Sequence, residues 1–232
     1  MSAGAPPYGR QVAMHGLGGS HHAIAAEVGA GAGARVLDVG CASGYLAAEL
    51  SARGCSVVGI EPDPSSAAEA EAHCERIIVG RIDSPSDRSR IDGRFDFVVF
   101  GDVLEHLVDP WETLSFARDL LSPAGVVIVS IPNVAAWPVR LRLLAGSFEY
   151  TDIGLLDRTH LRFFTRSSAH ELARRSGFAI ERERFVHVER EPGRLYRLSP
   201  RLTSAADAAV ARLLPGLFAQ QFVLRLRPLE RS

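Results

Sequence analysis

A glycine-rich turn that follows a short apolar segment is the most informative chemical feature of the sequence. The stretch VLDVGCASG (36–44) carries Asp38 in its apolar run and then Gly40 and Gly44, four residues apart. Glycines at such a turn let the backbone approach a ligand closely. The stretch does not fit G-x-G-x-x-G, because Tyr45 holds the last position, and it lacks the Lys-Ser/Thr of a phosphate loop. The mismatch therefore argues against a dinucleotide-binding site, and the missing lysine excludes a P-loop NTPase.

Two further carboxylates follow the next two apolar segments. Glu61 ends CSVVGIE (55–61), and Asp83 comes shortly after RIIVG (76–80). A carboxylate at the end of the second strand can accept hydrogen bonds from both hydroxyls of a ribose. Asp83 could face an adenine amino group. Asp38 and Asp83 are also compatible with a simpler role as caps of turns.

A third group of polar side chains follows FDFVVFGD (95–102). Asp102, Glu105 and His106 form a D-x-x-E-H cluster, and His160 lies later, in DRTHLRFFT (157–165). The ordinary pKa of histidine makes His106 a candidate general base, and His160 is a second candidate. Asp102, Glu105 and His106 are also candidate ligands for a divalent metal such as Mg²⁺, which would polarise a substrate hydroxyl. The alternative is that Glu105, His106 and His160 only order their loops.

The segment 134–165 contains the candidate substrate residues. Trp137 and Tyr150 are expected to line a substrate pocket, with Arg158 at its rim. Phe163 and Phe164 are expected to pack in the core.

The elements that must position these residues alternate between strand and helix. Short apolar runs alternate with helical patterns, which predicts a parallel sheet covered on both faces. The expected fold is α/β: a doubly wound, mostly parallel, seven-stranded Rossmann-like sheet with one antiparallel strand. The predicted strands are 34–40, 55–61, 76–80, 95–102, 125–132, 178–188 and 218–227, and the predicted helices are 21–29, 43–53, 64–74, 110–121, 134–145, 166–176 and 203–214.

Composition limits the classes of protein that remain. The 232 residues include 26 basic and 27 acidic ones, so a basic nucleic-acid surface is not expected. Three cysteines favour a reducing compartment, and the absence of a signal pattern or membrane-length apolar run predicts a cytoplasmic protein that does not bind membranes. We expect an N-terminal arm and helix over 1–33 and a single domain over 34–232, with a substrate-side insertion at about 134–165.

Four motifs in order resemble those of class I S-adenosylmethionine-dependent methyltransferases. They are VLDVGCASG, GIEPD, FDFVVFGDVLEHLVDP and LLSPAGVVIVSIPN, and the resemblance covers residues 34–227. It implies that Asp38, Gly40 and Gly44 line the methionine part of S-adenosylmethionine. Glu61 would hold the ribose and Asp83 would lie near the adenine, with Gly101 and Asp102 under the methionine end. Ala42 departs from the family pattern, in which glycine is commoner.

The later segment GLLDRTHLRFFT (154–165) resembles a loop of bacterial small-molecule methyltransferases. The cluster beginning at Asp102 is similar to the E-x-x-E-H metal site of methyltransferases that act on vicinal hydroxyls, with Asp in place of the first Glu. In the RNA enzymes of this kind a later histidine also binds the ion, which implies His160 as a fourth candidate ligand beside Asp102, Glu105 and His106. The resemblance implies methyl transfer to a small molecule, with a hydroxyl of a sugar, natural product or quinone-like compound as the expected acceptor. Oligomeric state stays open.

Other functions stay compatible with the sequence. They are N- or C-methylation of a small molecule, metal-assisted RNA 2′-O-methylation, an NAD-dependent oxidoreductase and a non-catalytic binding module. Near-neutral charge argues against the RNA enzyme, and the broken glycine pattern argues against the oxidoreductase.

Overall fold

The fold is built on a seven-stranded sheet. The computed structural model describes residues 19–187 and 213–230. The strand order is β3-β2-β1-β4-β5-β7-β6, and β7 runs antiparallel to both of its neighbours. The predicted fold class is therefore confirmed. The strands are β1 Arg35–Val39, β2 Ser56–Glu61, β3 Arg76–Val79, β4 Phe95–Gly101, β5 Leu121–Pro132, β6 Phe178–His187 and β7 Ala219–Pro228.

Helices cover the two faces of the sheet, which explains why its central strands are continuous apolar runs. Four of the five residues of β1 are buried, and β1 pairs in parallel with both β2 and β4. The described helices are α1 Gly19–Val28, α2 Tyr45–Ala52, α3 Pro64–Ala70, α4 Pro85–Arg88, α5 Pro110–Ala117, α6 Trp137–Leu144, α7 Arg166–Arg175 and α8 Pro215–Phe218. Short 3-10 turns lie at Leu104–His106 and Arg118–Leu120.

Local sequence explains where several helices begin. Asp63 accepts a hydrogen bond from the Ser66 N–H at the start of α3, and Asp109 caps α5 in the same way. A proline follows each of these caps, at the position in the first turn that needs no N–H donor. Thr165 begins α7 with a reciprocal capping box.

The structure differs from the sequence prediction at several places, and one of them is α3, which ends at Ala70 and not at residue 74. The short helix α4 lies in a segment that was expected to be a polar loop, 84–93. The helix predicted over 110–121 ends at Ala117, because Leu121 already pairs with Phe95 and begins β5. The predicted helix 203–214 falls mostly outside the described residues, as does the arm before Gly19.

Helix α1 is part of the same core as the sheet. Ile24 and Ala25 are fully buried and belong to a cluster that includes Val99, Ile128 and Val223. The Glu27 side chain, also buried, pairs with Arg182 and Arg184 of β6. A domain boundary near residue 33 and an insertion at 134–165 stay predictions. Within 19–187 and 213–230, no helix has the length and apolar character needed to cross a membrane.

Candidate functional site

A cleft of about 230 Å³ lies at the carboxyl ends of β1, β2 and β4. Ligands of open α/β sheets bind at this edge. Five of the predicted site residues line it together: Gly40, Glu61, Asp83, Asp102 and His106. Apolar surface comes from Val39, Ile60, Ile82, Val103 and Leu107. A larger open depression between α5 and α7, of about 440 Å³, contains none of the predicted site residues.

The glycine turn brings backbone close to the cleft. Gly40 has a φ of 68°, and a Cβ there would lie 2.7 Å from Cγ2 of Val103, a lining residue. Gly44 has a φ of 81°, and its Cβ would lie 2.9 Å from the Cα of Ala70 in α3. Both positions therefore require glycine for conformation and for space. Ala42 adopts a φ of 47° between them, so the departure from glycine is accommodated with backbone strain.

Glu61 braces the turn from the end of β2. Its Oε2 accepts a hydrogen bond from the Ala42 N–H at 3.0 Å, and its Oε1 accepts one from the Asp63 N–H at 2.9 Å. Burial raises the pKa of Glu61, and the two backbone donors oppose that rise. Each carboxylate oxygen keeps a second lone pair for a ligand hydroxyl.

Asp38 is a buried carboxylate directly before the turn. Only 2% of the residue is exposed, and no described residue donates a hydrogen bond to its Oδ2. Burial, with a smaller contribution from the charge of Glu61, raises the pKa of Asp38 to about 7. A cationic group of a ligand near this site would favour the ionised form.

Asp83 lines the cleft but already has a partner. Its two oxygens accept hydrogen bonds from the Arg81 guanidinium at 2.9 and 2.8 Å. This contact lowers the pKa of Asp83. An adenine amino group would therefore share the carboxylate with Arg81.

Asp102 follows Gly101 at the end of β4 and adopts a left-handed φ of 56°. The Ser130 hydroxyl donates to its Oδ1 at 2.5 Å and accepts from its N–H at 2.9 Å. The Gln221 amide donates to the same Oδ1 at 2.9 Å, and the Ser20 hydroxyl lies 3.3 Å from Oδ2. These contacts tie Asp102 to β5, β7 and α1.

Three of the four predicted metal ligands meet beside the cleft. One potential ligand atom from each of Glu105, His106 and His160 lies within 4.8 Å of the other two. The carboxylate Oε1 of Glu105 is 4.0 Å from Nε2 of His160, and the two side chains are 1% and 7% exposed. Asp102 is not in this cluster, which corrects the four-ligand prediction, because Ser130 and Gln221 hold its carboxylate elsewhere.

The cluster is electrostatically unusual. Burial, followed by the charges of Asp102 and Asp157, raises the pKa of Glu105 well above its usual range. No described residue hydrogen-bonds its Oε2. Burial and the neighbouring His106 lower the pKa of His160. A neutral imidazole is the form that binds metals.

The loop that carries His160 is fastened to the turn that carries Glu105. The Leu161 and Arg162 N–H groups both donate to the Glu105 carbonyl, at 2.8 and 3.0 Å. The Arg162 guanidinium donates to the Val108 carbonyl and lies over the Trp111 ring. The DRTHLR segment is thus a clasp that brings His160 to Glu105.

None of the three predicted substrate residues lines the cleft, and Tyr150 belongs to an aromatic row that leads to it. Rings at Tyr150, Phe148, Phe163, His160 and His106 follow one another, with successive centroids 4.8 to 6.1 Å apart. This row connects the surface to the cleft. Phe163 is part of the row, whereas Phe164 is buried in the core as expected.

The other two substrate candidates, Arg158 and Trp137, have no ring contact with this row. Arg158 pairs with the exposed Asp152 at 2.7 Å. Trp137 is half-buried at the start of α6.

Sequence reasoning missed the residues that hold Asp102 and His106 in place. Ser130 and Gln221 lie in strands predicted for the core, and Thr159 contacts His106 from the clasp. Ser130 is the one polar side chain in the run GVVIVSIP, which was the available signal for it, whereas FAQQFVLRLR has two glutamines and two arginines and does not single out Gln221.

A family model described as Methyltransferase domain matches residues 15–183. The chain belongs to this family. Its relatives include two ubiquinone biosynthesis O-methyltransferases. The one from Cereibacter sphaeroides is 31% identical over 150 residues, which are 62% of this chain and 60% of that protein. The one from Azorhizobium caulinodans is 33% identical over 120 residues, 50% of this chain and 47% of that protein. The matches thus span about half of these curated relatives.

Solved structures share the fold of this methyltransferase domain. Magnesium protoporphyrin IX methyltransferase from Synechocystis, with bound S-adenosylhomocysteine, superposes with a TM-score of 0.61 at 16% identity, covering 89% of this chain and 81% of that one. A SAM-dependent methyltransferase from Archaeoglobus fulgidus gives 0.61 at 15% identity, covering 94% and 98%. These likenesses concern the class I methyltransferase fold.

Proposed function

We propose that this protein transfers a methyl group from S-adenosylmethionine to a hydroxyl oxygen of a small molecule with a quinone-like ring. The observation that carries the proposal is that Gly40, Glu61 and His106 all line the same cleft. Family membership supports the reaction class. The relatives named as ubiquinone biosynthesis O-methyltransferases support oxygen as the acceptor atom.

The residues present fit S-adenosylmethionine, which supplies a methyl group already activated by a sulfonium. Glu61 has lone pairs left for two ribose hydroxyls, although Ala42 and Asp63 already donate to it. Asp38 offers a buried carboxylate oxygen with no donor among the described residues, which suits a positively charged amino-acid group. The turn at Gly40 leaves backbone, with no side chain, at the cleft wall.

His106 is the proposed general base. It lines the cleft, and one of its ring nitrogens can accept the proton of an acceptor hydroxyl as the oxygen bonds to the methyl carbon. S-adenosylhomocysteine then leaves as the product. The aromatic row from Tyr150 to His106 favours a planar ring over a sugar as the acceptor.

Calorimetric titration with S-adenosylhomocysteine, with NAD as the control ligand, tests the cofactor. We expect micromolar binding of the first and no binding of the second. Glu61→Gln should weaken binding roughly 10- to 100-fold, the range for hydrogen bonds to a charged group. Glu69→Gln, at an exposed position of α3, is the matched control. Unchanged affinity in Glu61→Gln, or tight NAD binding, would overturn the assignment.

Methylation assays with catechol, hydroxyquinol, sugar and amine acceptors then test the acceptor class. We expect product only from phenolic hydroxyls. His106→Gln should lower turnover by about 10²-fold or more while S-adenosylhomocysteine affinity is kept. Exclusive N- or C-methylation would contradict the proposed acceptor atom.

A metal-assisted form of the reaction is the second candidate. Glu105, His106 and His160 would hold the ion, and the buried Oε2 of Glu105 without a described donor fits such a role. Two imidazoles and one carboxylate suit Mn²⁺ or Zn²⁺ better than the Mg²⁺ expected from the sequence. A bound divalent ion would lower the pKa of an acceptor hydroxyl. Full activity after EDTA treatment, with no gain from added Mn²⁺ or Zn²⁺, would remove this candidate.

A further inference from the structure

Thr159 holds the ring of His106 from the clasp, across 53 positions of sequence. Its backbone carbonyl and its hydroxyl both lie 3.2 Å from Nδ1 of His106. The same hydroxyl lies 2.6 Å from Oδ1 of Asp157, which also accepts the Thr159 N–H at 2.8 Å. Asp157, Thr159 and His106 therefore form a chain of polar contacts that ends at the cleft.

The direction of hydrogen bonding along this chain can be worked out from the donors available. A hydroxyl has one hydrogen, and a carboxylate can only accept, so Thr159 donates to Asp157. The hydroxyl oxygen is then an acceptor toward His106, as is the Thr159 carbonyl. Two acceptors facing one ring nitrogen require that nitrogen to carry the hydrogen.

We propose that Asp157 and Thr159 are positioning residues that fix His106 in the tautomer with hydrogen on Nδ1. Nε2 is then the nitrogen left with a lone pair for a ligand in the cleft. The catalytic consequence rests on the proposed function, because Nε2 would be the atom that takes the proton of the acceptor. The tautomer itself is a property of the free protein and can be measured without turnover.

Backbone hydrogen bonds near Thr159 and His106 support a fixed geometry of the contact between them. Thr159 is followed directly by His160 and by Leu161 and Arg162, whose N–H groups are bonded to the Glu105 carbonyl. Glu105 is the chain neighbour of His106. Backbone hydrogen bonds therefore join the segment of Thr159 to the segment of His106, and they restrict the movement of the ring relative to Thr159.

Nitrogen-15 NMR of histidine-labelled, full-length protein at alkaline pH tests the tautomer directly. His106→Gln identifies the signals by their loss. We expect hydrogen on Nδ1 and an unprotonated Nε2 in the wild type. In Asp157→Ala, the freed Thr159 hydroxyl can donate to Nδ1, so we expect the Nε2–H form to rise. An Nε2–H tautomer in the wild type would overturn the proposal.

Turnover supplies the second test. Thr159→Val keeps the carbonyl contact but removes the hydroxyl, so kcat should fall about fivefold, the effect of one ordinary hydrogen bond. The KM for S-adenosylmethionine should not change, and Thr159→Ser should restore kcat. Equal kcat in the Val and wild-type forms would overturn the positioning role. If no acceptor is methylated at all, the proposed function fails, while the NMR result still decides the tautomer.

Discussion

Glu105 and His160 meet inside the protein, with Oε1 of the carboxylate 4.0 Å from Nε2 of the imidazole. They belong to different segments, and backbone hydrogen bonds from Leu161 and Arg162 to the Glu105 carbonyl bring them together. A buried carboxylate costs free energy when ionised unless a cation or donor compensates it. The pair is therefore either a neutral packing contact or part of a cation site, and the two can be separated by experiment.

Glu105→Gln decides between these roles. If a divalent ion binds, Mn²⁺ or Zn²⁺ should stabilise the wild type against unfolding by about 2.7 kcal/mol at 100 times its Kd. The Gln variant should lose that stabilisation, because the amide is a far weaker ligand. Thermal unfolding with and without metal measures it, with Glu149→Gln, an exposed change, as control. An equal shift in Glu105→Gln and wild type would place the ion elsewhere.

Asp38 should make the unfolding free energy depend on pH. Its pKa in the folded protein is about 7, raised mainly by burial, so the folded state holds the proton more tightly than the unfolded chain. The contribution of Asp38 to the unfolding free energy is therefore greatest below about pH 4. It is lost as the pH rises to about 7, by as much as about 4 kcal/mol. Urea unfolding of Asp38→Asn should lack this decline. Parallel pH profiles in both proteins would contradict the buried acid.

Gly40 and Gly154 allow backbone strain to be separated from crowding. Both have positive φ, but a Cβ on Gly154 meets nothing within 4 Å, whereas one on Gly40 meets Val103. Gly154→Ala should cost about 1 kcal/mol of stability and leave cofactor affinity unchanged. Gly40→Ala should cost about 1–3 kcal/mol more from overpacking and weaken S-adenosylhomocysteine binding.

A double variant completes this test. Val103→Ala in the Gly40→Ala background should recover part of the loss, because it removes the crowded methyl group. Chemical unfolding and calorimetry measure both effects. Identical behaviour of the two alanine variants would mean that space at Gly40 is not limiting.

Ser130 should matter beyond its size. Its fully buried hydroxyl both donates to the Asp102 carboxylate and accepts from the Asp102 N–H. Ser130→Ala leaves a backbone donor without that acceptor, which should cost about 1–3 kcal/mol of unfolding free energy. Ser167→Ala, at an exposed position, should change little. A loss below about 0.5 kcal/mol in Ser130→Ala would mean that other hydrogen-bond partners are sufficient to hold Asp102 in place.

Much of the fold was predictable because local rules and the global pattern agree. The apolar runs before Gly40 and up to Glu61 are too short and too continuous for amphipathic helices, so they indicated buried parallel strands. Pro64 marked the first turn of α3. The end of α5 was predicted less well, because pairing of Leu121 with Phe95 overrides helix propensity there.

The sequence alone determined which chemistry-bearing residues follow which strands, since carboxyl ends of parallel strands must share one edge. Of the residues expected together at that edge, Gly40, Glu61, Asp83, Asp102 and His106 line one cleft, whereas Asp38, Gly44 and Gly101 are not part of its lining. Only the tertiary structure decided which partners their polar atoms have. Asp102 is held by Ser130 and by Gln221 of the antiparallel strand, and His160 comes to Glu105 through the clasp. Such contacts depend on strand register and loop docking, which local sequence pattern does not encode.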